Sequence, residues 1–142
     1  MSAGSVSPQP LLAVRDVLAS SRWYATLLNL RMLGQTHEET HGNQYNRLLS
    51  GETLILQLHC WDEEEHPNLI GEHDAKHGHG VLIWFETDDF DAAVARARAL
   101  EAEILLEPHE NPGPRHREIW LRDPDGYVVV IASGDGEADT EA

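Results

Sequence analysis

A single cysteine, Cys60, stands among the 142 residues, so no disulfide can form within the chain. A small, buried residue at a strand end is the expected role of Cys60, rather than a nucleophile. Positive charge is also scarce. Ten Lys and Arg against 25 Asp and Glu leave a formal charge of −15 at pH 7. Phosphate-binding surfaces depend on clustered cations, which argues against nucleic acid and against an anionic membrane as partners. No apolar run approaches the roughly 18 residues of a bilayer span, and there is no signal-peptide pattern, which predicts a soluble, cytoplasmic protein. A Ser-His-Asp context, a Walker loop and a Rossmann fingerprint are all missing, and Gly134-Asp135-Gly136 falls in the tail rather than before a helix. What remains is 41% hydrophobic, enough for one compact domain or two small modules sharing a core.

A faint internal repeat organises the chain. Leu12-Ala13-Val14-Arg15-Asp16 and the helical run after it match Phe85-Glu86-Thr87-Asp88-Asp89 and its own helical run. Asp16 and Asp89 lie 73 positions apart (89 − 16 = 73). The same offset lays Leu54-Ile55-Leu56-Gln57-Leu58-His59 on Tyr127-Val128-Val129-Val130-Ile131-Ala132 without a gap.

Periodicity and turn signals give each copy the order strand, helix, three strands. In the first module, residues 9–61, strands are predicted at 9–14, 31–38, 44–49 and 53–61, with Ser20-Ser21 as N-caps of a helix striped by Trp23, Leu27 and Leu30. In the second, residues 81–133, strands are predicted at 81–87, 103–106, 117–122 and 127–132, with a helix capped by Asp89 and a tight turn over 123–126. Residues 62–80, charged and His-rich, read as a linker. Residues 1–8 read as a flexible N-terminus and 134–142 as a disordered acidic tail.

The paired strand-helix-three-strand pattern, with Val14-Arg15-Asp16-Val17 before one helix, Glu86-Thr87-Asp88-Asp89-Phe90-Asp91 before the other and a closing Asp123-Pro124-Asp125-Gly126-Tyr127, resembles the vicinal oxygen chelate superfamily. That group includes glyoxalase I, bleomycin-resistance proteins, fosfomycin-resistance enzymes and extradiol dioxygenases. The resemblance covers roughly residues 9–133. It implies an α+β fold in which paired βαβββ modules form an open eight-stranded cup with helices outside, commonly as a homodimer. In metal-dependent members it also implies four ligand positions, which here fall on Gln9, Gln57, Leu82 and Val130. Two amides and two hydrocarbons supply none of the anionic or imidazole donors that Zn, Fe, Ni or Mn need, so no metal and no other cofactor is expected at this centre.

Period-two alternation sends Gln9, Tyr45, Arg47, Gln57, His59, Trp84, His116, Glu118 and Trp120 into the cup. An apolar wall with two Trp rings and a few polar handles suits a small organic ligand, although each Trp serves equally as core filling and a Gln57–His59 pair could be satisfied by water. His66, His73, His77 and His79 crowd the linker, but without a fixed scaffold they are expected to bind metal adventitiously or not at all.

The leading expectation is therefore a metal-independent member that binds a small, partly aromatic or apolar molecule as a homodimer, with no catalytic residue assigned. The acidic balance favours a cationic ligand if charge matters at the rim. The competing reading is a lyase, isomerase or dioxygenase acting through a displaced metal or acid–base site at Gln57, His59, His116 and Glu118. A third is a cup filled by its own side chains.

Overall fold

The computed structural model describes residues 4–61 and 78–140. The chain divides into two compact units, Met1–Ile70 and Gly71–Ala142, each with one α-helix and one four-stranded sheet among the described residues. The first holds β1 (Leu11–Val14), α1 (Val17–Leu28), β2 (Arg31–Met32), β3 (Tyr45–Ser50) and β4 (Thr53–Cys60), in sheet order β1-β4-β3-β2. The second holds β5 (Ile83–Glu86), α2 (Phe90–Ala99), β6 (Glu103–Asn111), β7 (His116–Arg122) and β8 (Val128–Ala132), in order β5-β8-β7-β6, and closes on a 3₁₀ turn, Glu137–Thr140. The fold class is α+β, built from two βαβββ modules.

The repeat is visible in the hydrogen-bond register. β1 pairs with β4 in parallel with Leu11 opposite Gln57, and β5 pairs with β8 in parallel with Trp84 opposite Val130. In the antiparallel pairs, Tyr45 stands opposite His59 and Glu118 opposite Ala132. Each second-unit residue is the first-unit residue displaced by 73, the offset found between Asp16 and Asp89.

Alternation gives each sheet a helix-covered face and a helix-free face. In the first unit α1 packs on β3 and β4, where Leu48, Leu56 and Leu58 are fully buried together with Val17, Tyr24 and Leu27 of the helix. In the second α2 packs on β7 and β8, burying Ile119, Leu121, Val129 and Ile131 with Phe90, Ala93 and Ala97. Burial of such side chains contributes about 1.5–3 kcal/mol each and supplies most of each unit's stability.

Several elements differ from the periodicity reading. α1 is capped by Asp16, whose carboxylate accepts from Ala19 N–H at 3.0 Å, while Ser20 and Ser21 lie buried inside the helix. Asp89 caps α2 through Ala92 N–H in the same way. The strand predicted over 31–38 stops at Met32, because Thr36 and Thr40 fold the chain into turns and His41 and Asn43 adopt left-handed φ. β6 runs on to Asn111 through Pro108, which the sheet tolerates because β6 is an edge strand with register shifts. β1 begins two residues after Gln9, and Leu82 precedes β5.

The segment after Ser133 is fastened to its unit. Glu137 accepts two hydrogen bonds from Arg117, at 3.1 and 2.7 Å, and Ala138 N–H donates to Arg115 O. Arg117 also reaches Asp91 at 2.9 Å and lies 4.7 Å from the centre of the Phe90 ring, joining β7, α2 and this segment. No helix among the described residues is long and apolar enough to cross a membrane.

Candidate functional site on the helix-free sheet faces

In the second unit, Trp84, Val130 and Trp120 form one row across β5, β8 and β7. Val130 is fully buried between its two aromatic neighbours in the row, whereas Trp84 is 45% exposed. An aromatic ring on a sheet face is normally core, and Trp84 departs from that. Trp120 is half-buried, and its Nε1–H donates to Glu118 Oε1 at 2.9 Å, which fixes the plane of its ring.

Glu118 is the hub of this face. Its side chain is 5% exposed, yet its other oxygen lies 2.6 Å from His116 Nε2, Asn111 adds a further side-chain hydrogen bond, and His109 Nε2 lies 3.4 Å from Oε1. Burial raises the carboxyl's pKa, but the hydrogen bonds from His116, Trp120 and Asn111 outweigh it and hold Glu118 below the ordinary carboxylate range. His116 is the complement. Burial would lower its pKa, but Glu118 on Nε2 and Asp135 3.3 Å from Nδ1 raise it instead. Both ring nitrogens face carboxylates, which favours the charged form of His116, and its ring centroid lies 5.8 Å from that of Trp84.

On the same face, Arg122, Val128 and Leu82 line a groove of about 440 Å³ together with Val81 and the Gly78-His79-Gly80 turn. His79 is the one His of the His-rich linker inside the described residues; His66, His73, His77 and the acidic run Asp62–Glu65 lie outside them.

In the first unit the corresponding row is Leu11, Gln57 and Arg47, followed by Ala13, His59 and Tyr45. The Tyr45 hydroxyl donates to Gln57 Oε1, and Gln57 Nε2 donates to the Gln9 carbonyl at 3.0 Å, so the amide is oriented at both ends. His59 Nδ1 donates to Cys60 O at 2.8 Å, which makes Nε2 the acceptor nitrogen. Arg47 Nε is buried and has no hydrogen-bond partner among the described residues.

Each unit has its own share of the residues predicted from alternation, Tyr45, Arg47, Gln57 and His59 on one sheet face and Trp84, His116, Glu118 and Trp120 on the other, whereas Gln9 lies before β1 and meets Gln57 only through its backbone carbonyl. Three members of the second cluster escape sequence reasoning. His109 and Asn111 follow Pro108, which reads as a strand end, and Asp135 lies beyond the last apolar strand. Among the described residues no three His, Cys, Asp or Glu side chains gather as a metal would require.

The family model described as the Glyoxalase/Bleomycin resistance protein/Dioxygenase superfamily matches residues 7–131. The chain belongs to that superfamily. Comparison with curated proteins finds no significant match. Among solved structures, the chain is similar to TioX from Micromonospora sp. ML1, at 19% identity and TM-score 0.69 over 91% of this chain and 98% of that one. It is similar to a glyoxalase/bleomycin resistance protein/dioxygenase family enzyme from Burkholderia phytofirmans PsJN, at 20% identity and TM-score 0.68, covering 88% and 95%. A lactoylglutathione lyase from Agrobacterium tumefaciens gives 23% identity and TM-score 0.65, covering 92% and 95%. At such identity the likeness is one of fold, and function must be argued from the site.

Proposed function

We propose that this chain is a metal-independent binding protein of the superfamily, in which a helix-free sheet face holds a small, partly aromatic organic molecule. The observation that carries the reading is the half-exposed Trp84 in one row with a Trp120 whose ring is pinned by Glu118: a rigid aromatic surface that loses little entropy when a flat ligand packs on it. Donor chemistry supports the absence of a metal. Gln57 spends its carbonyl on Tyr45 and its amide nitrogen on Gln9, while Leu82 and Val130 have no donor atom, so the family's ligand positions do not fit a divalent cation. For His116 the acid–base alternative is weaker for a geometric reason: both its nitrogens face carboxylates, so neither is turned toward a substrate.

The test is a fluorescence screen of aromatic compounds against Trp84→Ala and Trp120→Ala. Truncating a stacking ring should weaken binding by about 1–3 kcal/mol with folding intact. Unchanged affinity in both variants moves the site off this face. One tightly held Zn, Ni or Fe per chain, in protein purified without a His tag, contradicts the metal-free reading.

A further inference from the structure

Arg47 is a half-buried arginine whose Nε has no acceptor among the described residues. Several other guanidinium groups are matched: Arg117 with Glu137 and Asp91, Arg98 with Glu107, Arg31 with Glu52, Arg122 with the Gly126 carbonyl, and Arg15 stacked 4.2 Å over the Trp61 ring. With 25 acidic residues available to ten basic ones, an unpaired arginine is not forced by a shortage of carboxylates. Yet Arg47 Nε is closed off from solvent without an acceptor among the described residues, which is costly unless something supplies one. Its in-register neighbour Gln57 does not serve, since its oxygen takes the Tyr45 hydroxyl and its nitrogen faces the Gln9 carbonyl. The residue as a whole is half-buried, so part of it stays reachable.

Resting on the reading of the helix-free faces as binding faces, we propose that Arg47 receives a singly charged planar oxyanion, which makes the ligand of the first unit's face an organic acid. A guanidinium matches a carboxylate in plane and spacing and forms two parallel N–H···O bonds with it. A polyphosphate is a poor match, because a single arginine on a strand, with Gln57 and Leu11 as its neighbours in the row, neutralises one charge. The ligand's sign is then opposite to what the net charge of −15 favours, because a local unpaired cation outweighs a solvent-screened overall field.

Calorimetric titration with 2-naphthoate and its uncharged isostere 2-naphthamide tests this directly. The naphthoate should bind the wild-type protein roughly ten- to hundredfold more tightly than the amide. Arg47→Gln should erase that preference, bringing naphthoate down to the level of the amide, and Arg47→Lys should retain part of it. Because either variant could fail to fold, the Arg47 Nε–H resonance of ¹⁵N-labelled wild-type protein is followed as well; it should move on adding naphthoate and stay still with naphthamide. Equal affinity for the two probes, a preference that survives Arg47→Gln, or a resonance indifferent to naphthoate overturns the assignment of Arg47 and leaves the binding-face reading standing. If neither probe binds the wild-type protein, the binding-face reading fails, and the organic-acid ligand fails with it.

Discussion

Glu118 carries a charge to a site where its side chain is 5% exposed, and the donors around it determine how the second unit responds to pH. The sign follows from the two shifts. His116 is raised above its ordinary 6.5, so its contribution is complete below that value and fades as pH rises through the folded-state pKa. Glu118 is lowered below its ordinary 4.5, so its contribution is present above that value and fades as pH falls through its own folded-state pKa. The pair therefore stabilises most between those ordinary values. Thermal melts of wild type and Glu118→Gln across that range and up to about pH 8.5 should show the wild-type midpoint falling by a few degrees more than the variant's on the alkaline side. Parallel profiles would mean that His116 draws no stability from Glu118. The same variant should loosen Trp120, whose indole loses a charged acceptor, and so weaken aromatic ligands without removing a ligand contact.

At the scale of elements, the turns and caps depend on a few side chains that replace backbone partners. Asn46 is buried on the helix side of β3, where its amide accepts from Gly34 N–H, donates to Gly34 O and donates to Ser21 Oγ, all between 2.8 and 3.0 Å. A methyl group added at Gly34 would meet Thr40 Cγ2 at 2.8 Å and the Glu39 carbonyl at 2.9 Å. Gly34→Ala should therefore destabilise by about 1–3 kcal/mol through overpacking, and Asn46→Ala by a similar amount through the polar groups it strands, as read from urea midpoints. A change under about 0.5 kcal/mol in both would show that this loop opens independently of the unit. Neither role is visible in sequence, since Asn46 has the alternating pattern of any strand residue and its partners lie 12 and 25 positions away. The Asp123–Gly126 turn was legible because its bonds are local: Asp123 Oδ1 accepts from Asp125 and Tyr127 N–H, and Gly126 takes a φ of 100°. Asp16 lay between these cases. Serines at 20 and 21 are equally good capping residues by type, but the repeat places Asp16 on Asp89, and that correspondence was the better guide.

For the whole molecule, the 73-residue correspondence carried the fold, because a register that holds at both ends of a module constrains every strand between them. It carried function only to the faces, since repeat-related positions hold unrelated chemistry: Leu11, Gln57 and Arg47 in one unit stand where Trp84, Val130 and Trp120 stand in the other. Alternation shows which side chains share a face, whereas Glu118's bonds to His116 and Trp120 and the lack of an acceptor for Arg47 Nε among the described residues emerge only from coordinates. The apolar surface left over bears on assembly. Leu11 is 40% exposed on β1, and Val81, Leu82 and Trp84 are 52%, 45% and 45% exposed on or just before β5, both of which are edge strands. Edges flanked by exposed apolar side chains invite pairing or cover, and a second copy is the simplest cover a symmetric interface offers. We propose a homodimer on this ground. Sedimentation equilibrium at micromolar concentration should give twice the 15.9 kDa chain mass, and charged substitutions at Val81 and Leu82 should shift it toward the monomer without lowering the helix content. A monomeric wild type would instead leave these side chains available to ligand, and their substitution should then weaken aromatic probes alongside Trp84→Ala.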